Sequence, residues 1–319
     1  MMKQWILLLL LSGATALGCS DDSKTDGGDK STDDADLSSD SDSGGLSDGD
    51  SDGDSDGDSD GDSDGEDNES CRYIDIVIAV DPSGSMAEEL EAFRDVVFPA
   101  FAQKLTDISE DLDDFRIATI DACPNQADFH TRGKGGECSF EGDERWINSS
   151  SSALNEEFAC VGDIYVDDIA AACDENNDGD EKPLASIIAS LTPPFVDNEN
   201  KGMLRDDAIL VVIPMTDEDE ENTDNLTAEQ YFDQLTALKG GVVENMVMLG
   251  IGGTQTFNCG SLYGDVNDQA VLLKEVTDMF SAANRGVFWD LCDGKPLEDG
   301  LDAAISIIKS ACDNFVEVE

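Results

Sequence analysis

Two apolar runs constrain the fold of this chain more than any other feature: Ile74–Val80 (IDIVIAV, broken only by Asp75) and Ala208–Met215 (AILVVIPM). Both are too short for a core helix and rich in β-branched residues, so they read as strands. A strand without a polar face is buried on both sides, as in a parallel sheet wrapped by helices. Phe115–Ile120, Val242–Ile251 and Val287–Leu291 read as further strands, and Trp146 with Ile147 as a short antiparallel edge strand. Glu88–Leu105, Leu226–Lys239, Asp268–Ala282 and Leu297–Cys312 carry apolar residues at helical spacing. This alternation implies an α/β fold, a Rossmann-like, doubly wound, mainly parallel sheet with helices on both faces. Pro214 is awkward in it, because proline donates nothing to a central ladder. Either its strand ends early or a bulge lies beside it.

The chemistry gathers where these strands end. Asp81, Ser83 and Ser85 alternate in a Pro82/Gly84 turn directly after the first strand. That spacing aims three oxygen-bearing side chains at one point beyond the strand's carboxyl end, where ligands bind in open α/β sheets. The plain alternative makes the turn a helix cap, with Ser85 at the N-cap.

The stretch 74–86, IDIVIAVDPSGSM, resembles the first metal-binding loop of von Willebrand factor type A domains, the Asp-x-Ser-x-Ser part of their metal-ion-dependent adhesion site. The resemblance extends over Cys71 to Cys312 and implies that fold for residues 71–319. It assigns Asp217, at the end of the Ala208–Met215 strand, to the third metal loop, close to Asp81 and both serines. The competing reading of the 217–221 run (DEDEE) is a solvated acidic loop.

For the second loop the family offers a Thr before its third helix, and no Thr occurs between Val161 and Leu191. Aligning Lys182-Pro183-Leu184 with that helix places Asp178 or Asp180 there. An added negative charge would leave the ion less able to recruit an incoming carboxylate. The implied centre is a divalent cation, Mg2+ or Ca2+, held by Asp81, Ser83, Ser85, Asp178 and, behind water, Asp217. A protein partner's acidic group would complete its shell. The alternative is a structural, calcium-stabilised envelope protein without metal-dependent ligand binding.

No enzyme is expected. His130, the single histidine, has no nucleophile in a recognisable setting and reads as a loop residue, which counts against triad chemistry. Metal-assisted hydrolysis would need a general base, for which only Asp121 or Glu181 suggests itself.

Residues 1–18 carry Lys3, the apolar run Trp5–Leu11 and small residues, the pattern of a secretory signal. The following TALGC resembles a bacterial lipobox, with Cys19 as the lipidated residue, and implies a cell-envelope, outer-membrane lipoprotein; cleavage to a soluble secreted product is the alternative. From Ser20 to Ser70 the chain holds 21 acidic and 2 basic side chains and repeats SDGD four times. Residues 19–70 therefore read as a disordered acidic tether. The part beyond it is itself acidic, 52 acidic against 15 basic residues, so phosphate repulsion disfavours nucleic acid and anionic headgroups. The membrane is reached only through the lipid.

Nine cysteines less Cys19 leave eight, an even number suited to an oxidising compartment. Sequence proximity, with Cys71 and Cys312 flanking the two ends, gives the pairs Cys71–Cys312, Cys123–Cys138, Cys160–Cys173 and Cys259–Cys292.

Overall fold

The computed structural model describes residues 72–108, 112–133, 135–163, 181–221, 224–255, 259 and 266–316. The signal segment, Cys19, the tether, Cys71, Cys173, Asp178 and Asp180 lie outside the described residues. The strands are β1 (Tyr73–Val80), β2 (Asp114–Asp121), β3 (Arg132–Gly133), β4 (Gly136–Glu137), β5 (Ile147–Asn148), β6 (Ala208–Met215), β7 (Met246–Gly252) and β8 (Gly286–Asp290). Six of them form one sheet in the order β5-β2-β1-β6-β7-β8, while β3 and β4 make a separate hairpin. All neighbours in the large sheet are parallel except the edge pair β2 and β5.

The helices are α1 (Ala87–Ala92), α2 (Phe98–Ile108), α3 (Leu154–Val161), α4 (Pro183–Ser190), α5 (Ala228–Ala237), α6 (Val271–Ala282) and α7 (Leu297–Cys312). A π-helical turn, Phe93–Val97, joins α1 to α2. Side chains alternate across the sheet as the strand period requires. Ile74, Ile76, Ile78 and Val80 pack with Leu90, Phe93, Phe101, Phe158 and Ile308 on one face. Val77 and Ala79 pack with Leu184, Ile187, Leu235, Leu273 and Phe280 on the other. The sheet is thus doubly wound, and β1 and β6 lie side by side at its centre.

Three expectations need correction. Strand β6 neither ends early nor bulges at Pro214, which pairs in register with Ala79. The disturbance falls on the other side: pairing with β7 covers Leu210–Val212 and resumes only at Met215. The missing N–H is accommodated in that gap. The segment Val243–Asn245 is a 3-10 turn, so β7 begins at Met246. Helix α6 begins at Val271 rather than Asp268, because the amides before it are used elsewhere. Asn267 and Asp268 donate to the Asp217 carbonyl at 3.0 and 3.1 Å, and Ala270 donates to Gly253.

Of the proposed disulfides, Cys259–Cys292 is present, but Cys138 pairs with Cys160. This overturns Cys123–Cys138 and Cys160–Cys173. Cys138 follows the β3–β4 hairpin, which lies against the end of α3: a Cβ on Gly133 would sit 2.3 Å from the Cys160 carbonyl oxygen. Spatial approach, not chain distance, selects the pair. Cys123 and Cys312 are also disulfide-bonded.

Asp75, the one polar residue in the β1 run, is fully buried. Arg205 satisfies it with a backbone N–H to Oδ2 at 2.7 Å and its Nε to Oδ1 at 2.8 Å, while also reaching Asp114 at 2.7 Å. A buried carboxylate without such partners would be strongly destabilising.

Candidate metal centre

The carboxyl ends of β1 and β6 deliver Asp81 and Asp217 to the same edge of the sheet. The Asp81 amide donates to the Met215 carbonyl at 3.0 Å, continuing the ladder by one residue past β1. Beyond it the chain turns sharply. The Ser83 amide donates to Asp81 Oδ1 at 2.7 Å, and Gly84–Met86 form a single 3-10 turn before α1. Ser85 does not cap the helix, since no side-chain cap bond is made at either turn. Its hydroxyl instead donates to Asp217 Oδ1 at 3.2 Å and lies 2.7 Å from the Ser83 hydroxyl. The two serine hydroxyls are thus joined by one hydrogen bond, in which either can be the donor. Asp81, Ser83, Ser85 and Asp217, separated by up to 136 positions in the chain, therefore make one connected oxygen cluster.

Thr216 adds a bond that the motif does not announce. Its hydroxyl donates to Asp81 Oδ2 at 2.9 Å and accepts the Glu218 amide at 3.1 Å, so both Asp81 oxygens are held. Asp217 differs: its Oδ2 is buried and has no hydrogen-bond partner. Both aspartates are fully buried, and neither has a salt-bridge partner among the described residues. Burial pushes Asp81 up to about 7, against the Ser83 amide bond and with the Asp217 charge adding to the rise. Burial likewise lifts Asp217 to about 6, opposed by the Ser85 hydrogen bond.

Two buried acids side by side, one with an orphaned oxygen, are costly without a positive charge between them. The donor set is all oxygen, two carboxylates and two hydroxyls, which suits a hard divalent cation. Among the described residues no group of three or more His, Cys, Asp or Glu side chains is placed to hold a metal.

The acidic run after β6 is not a solvated loop. Glu220 is buried and accepts the Leu184 and Ala185 amides at 2.8 and 3.0 Å. Asp219 Oδ1 accepts the Leu272 amide at 2.8 Å. Both roles escaped the sequence reading. The bonded amides open helices 35 to 53 positions away, so the only local signal was that the acids directly follow a buried strand.

His130 is largely enclosed rather than free in its loop, with Nε2 2.8 Å from Asp121 Oδ2. Burial opposes its charged ring, but the carboxylates of Asp121 and Asp128 raise its pKa overall. Asp121 Oδ2 is thereby engaged by the His130 ring. Glu181 lies near enough for its charge to add to the rise at Asp217.

No protein-family model matches the sequence, and no curated protein matches it. Among solved structures the chain is similar to proximal thread matrix protein 1 of the mussel byssus, in a second crystal form and in a form with a zinc-occupied MIDAS motif. Each is 14% identical with a TM-score of 0.38 over 75% of this chain. It is also similar to the manganese-loaded TRAP protein of Plasmodium vivax, 13% identical with a TM-score of 0.36, over 75% of this chain and 74% of that one. The chain spans 49% and 48% of the two mussel chains, about half their length.

Proposed function

We propose that this protein is a non-enzymatic binding module of the cell envelope, in which Asp81, Ser83, Ser85 and Asp217 hold a divalent cation, Mg2+ or Ca2+. The observation that carries the reading is the buried, unpartnered Oδ2 of Asp217 beside the equally buried Asp81. The bound ion would supply a centre of positive charge for an acidic group of a protein partner. The chain's own residues do the rest. Thr216 and the Ser83 amide fix the Asp81 carboxylate, Ser85 orients Asp217, and the hydroxyls contribute oxygen without further negative charge. A lipid on Cys19 and the acidic tether would display the domain away from an outer membrane. Secretion without the lipid is the alternative.

Complete burial of both carboxylates favours a second reading, in which the cation only buttresses the loops as a structural calcium site. One set of measurements separates the two. Calorimetric titration of Mg2+ and Ca2+ into the oxidised protein is expected to show one saturable site, lost in Asp81→Ala and Asp217→Ala. Unchanged metal affinity in Asp81→Ala would sink the site assignment. Partner capture that survives chelator, alongside a metal-dependent rise in melting temperature, would favour the structural reading.

A further inference from the structure

We infer that Asp219 and Glu220 are positioning residues, a two-armed clamp that ties the Asp217 loop to the starts of α4 and α6 and so couples cation binding to both helices. The inference rests on the metal-binding reading above. The loop from Thr216 to Glu220 is five residues long, and each residue has a separate attachment. Thr216 bonds Asp81, and the Asp217 carbonyl accepts two amides from the segment before α6. The Glu218 carboxylate accepts the Asn267 side-chain amide at 3.0 Å. Asp219 then accepts the Leu272 amide in the first turn of α6, and also the Glu220 amide at 3.0 Å.

Glu220 places one carboxylate oxygen on each of two successive amides, Leu184 and Ala185, in the first turn of α4. The Tyr231 hydroxyl of α5 approaches the same carboxylate at 3.4 Å. The first amides of a helix have no partner within it, so these side chains satisfy donors that would otherwise be left over. The N-cap residue of α4, Lys182, makes no side-chain cap bond, and Pro183 opens the first turn. Helix α6 likewise lacks a cap from its own N-cap residue, Ala270.

First-turn amides of both helices are thus held by the residues that follow Asp217. A loop held at both flanks in this way cannot open without uncapping a helix, and a helix start cannot fray without releasing the loop. Anything that fixes Asp217 must then protect the capped amides, and loosening a cap must weaken whatever Asp217 binds.

Hydrogen exchange of the oxidised protein, with and without Mg2+, tests this directly. With Mg2+ at a hundred times its dissociation constant, exchange at the Leu184, Ala185 and Leu272 amides is expected to slow about 100-fold, because opening must first release the ion. In Glu220→Gln the side-chain NH2 faces a backbone donor. The protection gained at Leu184 and Ala185 should be lost and the Mg2+ affinity should fall about tenfold, while Leu272 keeps its gain. Asp219→Ala, which removes the Oδ1 that accepts the Leu272 amide, should show the converse. A purely structural role would lower the melting temperature of these variants without changing affinity or the response of the amides to Mg2+, and that result would overturn the clamp. Calorimetric Mg2+ binding by the wild type with no change at these amides would also overturn it, leaving the metal centre standing. No Mg2+ binding by the wild type would remove both.

Discussion

Replacing Asp81 by Asn exposes the cost of the buried acid pair, and the sign of the effect should depend on pH. In the metal-free protein Asp81 holds its proton up to about pH 7, whereas an unfolded Asp ionises near 3.8. A carboxyl with a raised folded-state pKa loses stability as pH rises through that window, since the unfolded chain releases its proton first. About three pH units at 1.36 kcal/mol each amount to about 4 kcal/mol by pH 8. Asn is isosteric and escapes this loss. It does oblige the Thr216 hydroxyl to turn and accept where it now donates, a cost of about 1 kcal/mol. In chelator at about pH 8 the variant should be more stable than wild type by about 3 kcal/mol, or about 6–12 °C in melting temperature for a domain of this size. At about pH 4, where the wild-type carboxyl is largely protonated, it should be slightly less stable. Adding Mg2+ at a hundred times its dissociation constant should return about 2.7 kcal/mol to the wild type and nothing to the variant. Differential scanning calorimetry at both pH values reads all of this. A variant destabilised equally at pH 4 and pH 8 would show that Asp81 carries no buried, uncompensated charge, and the reasoning would fail.

The affinity for Mg2+ should itself climb between pH 5 and pH 7, by up to about tenfold per unit for each proton displaced from Asp81 and Asp217, and flatten above; calorimetric titration across that range would contradict the assignment if it were flat. Ser85→Ala should cost about tenfold in the same affinity, measured at pH 8, by removing a ligand oxygen and the bond that orients Asp217. Arg205→Met leaves the buried Asp75 carboxylate with the backbone amide of residue 205 but no charge partner, and should destabilise the protein by about 3 kcal/mol at neutral pH. Part of that loss should return near pH 4 as the acid takes a proton, which urea unfolding at the two pH values would detect. Removing the Cys138–Cys160 bridge by double Ala substitution frees a loop closed over 22 positions and should lower stability by about 3 kcal/mol; an unchanged melting temperature would mean that the hairpin is held on α3 by packing alone.

How legible these features were in the sequence follows from how local their causes are. The runs that became β1 and β6 carry their burial in their own composition, and α7 spans Leu297–Cys312 as its apolar spacing requires. That Asp81 and Asp217 share one edge was implied by the family resemblance alone, since burial of two strands does not say that they are neighbours. The roles of Asp219 and Glu220 were hidden because a cap supplied from a distant loop leaves no trace near the helix it caps. Thr227, which caps α5 from within its own segment as a capping box with Gln230, marks the contrast. The Cys138–Cys160 pair was missed because the hairpin folds back over α3, a contact set by Gly133 and the Cys160 carbonyl rather than by chain distance. His130 does lie in a loop, but its partner was hidden for the same reason: Asp121 ends β2, and only the return of the loop brings the two together.

The position of β1 between β2 and β6 also sets an order of events during folding. Its first partner, β2, follows after one helical crossover, but its second, beginning at Ala208, arrives far later in the chain. Until then β1 presents an unpaired apolar edge, the kind of surface that recruits other chains. Long-range closure of this sort slows folding, since chain entropy is lost before the contact repays it. Oxidation can run ahead of it, because Cys138 and Cys160 both lie between the two strands and can join before β6 exists. The Ser85–Asp217 bond, spanning 132 positions, cannot. Acquisition of cation binding would therefore time the docking of β6 on β1, making the metal a reporter of when this chain finishes its sheet.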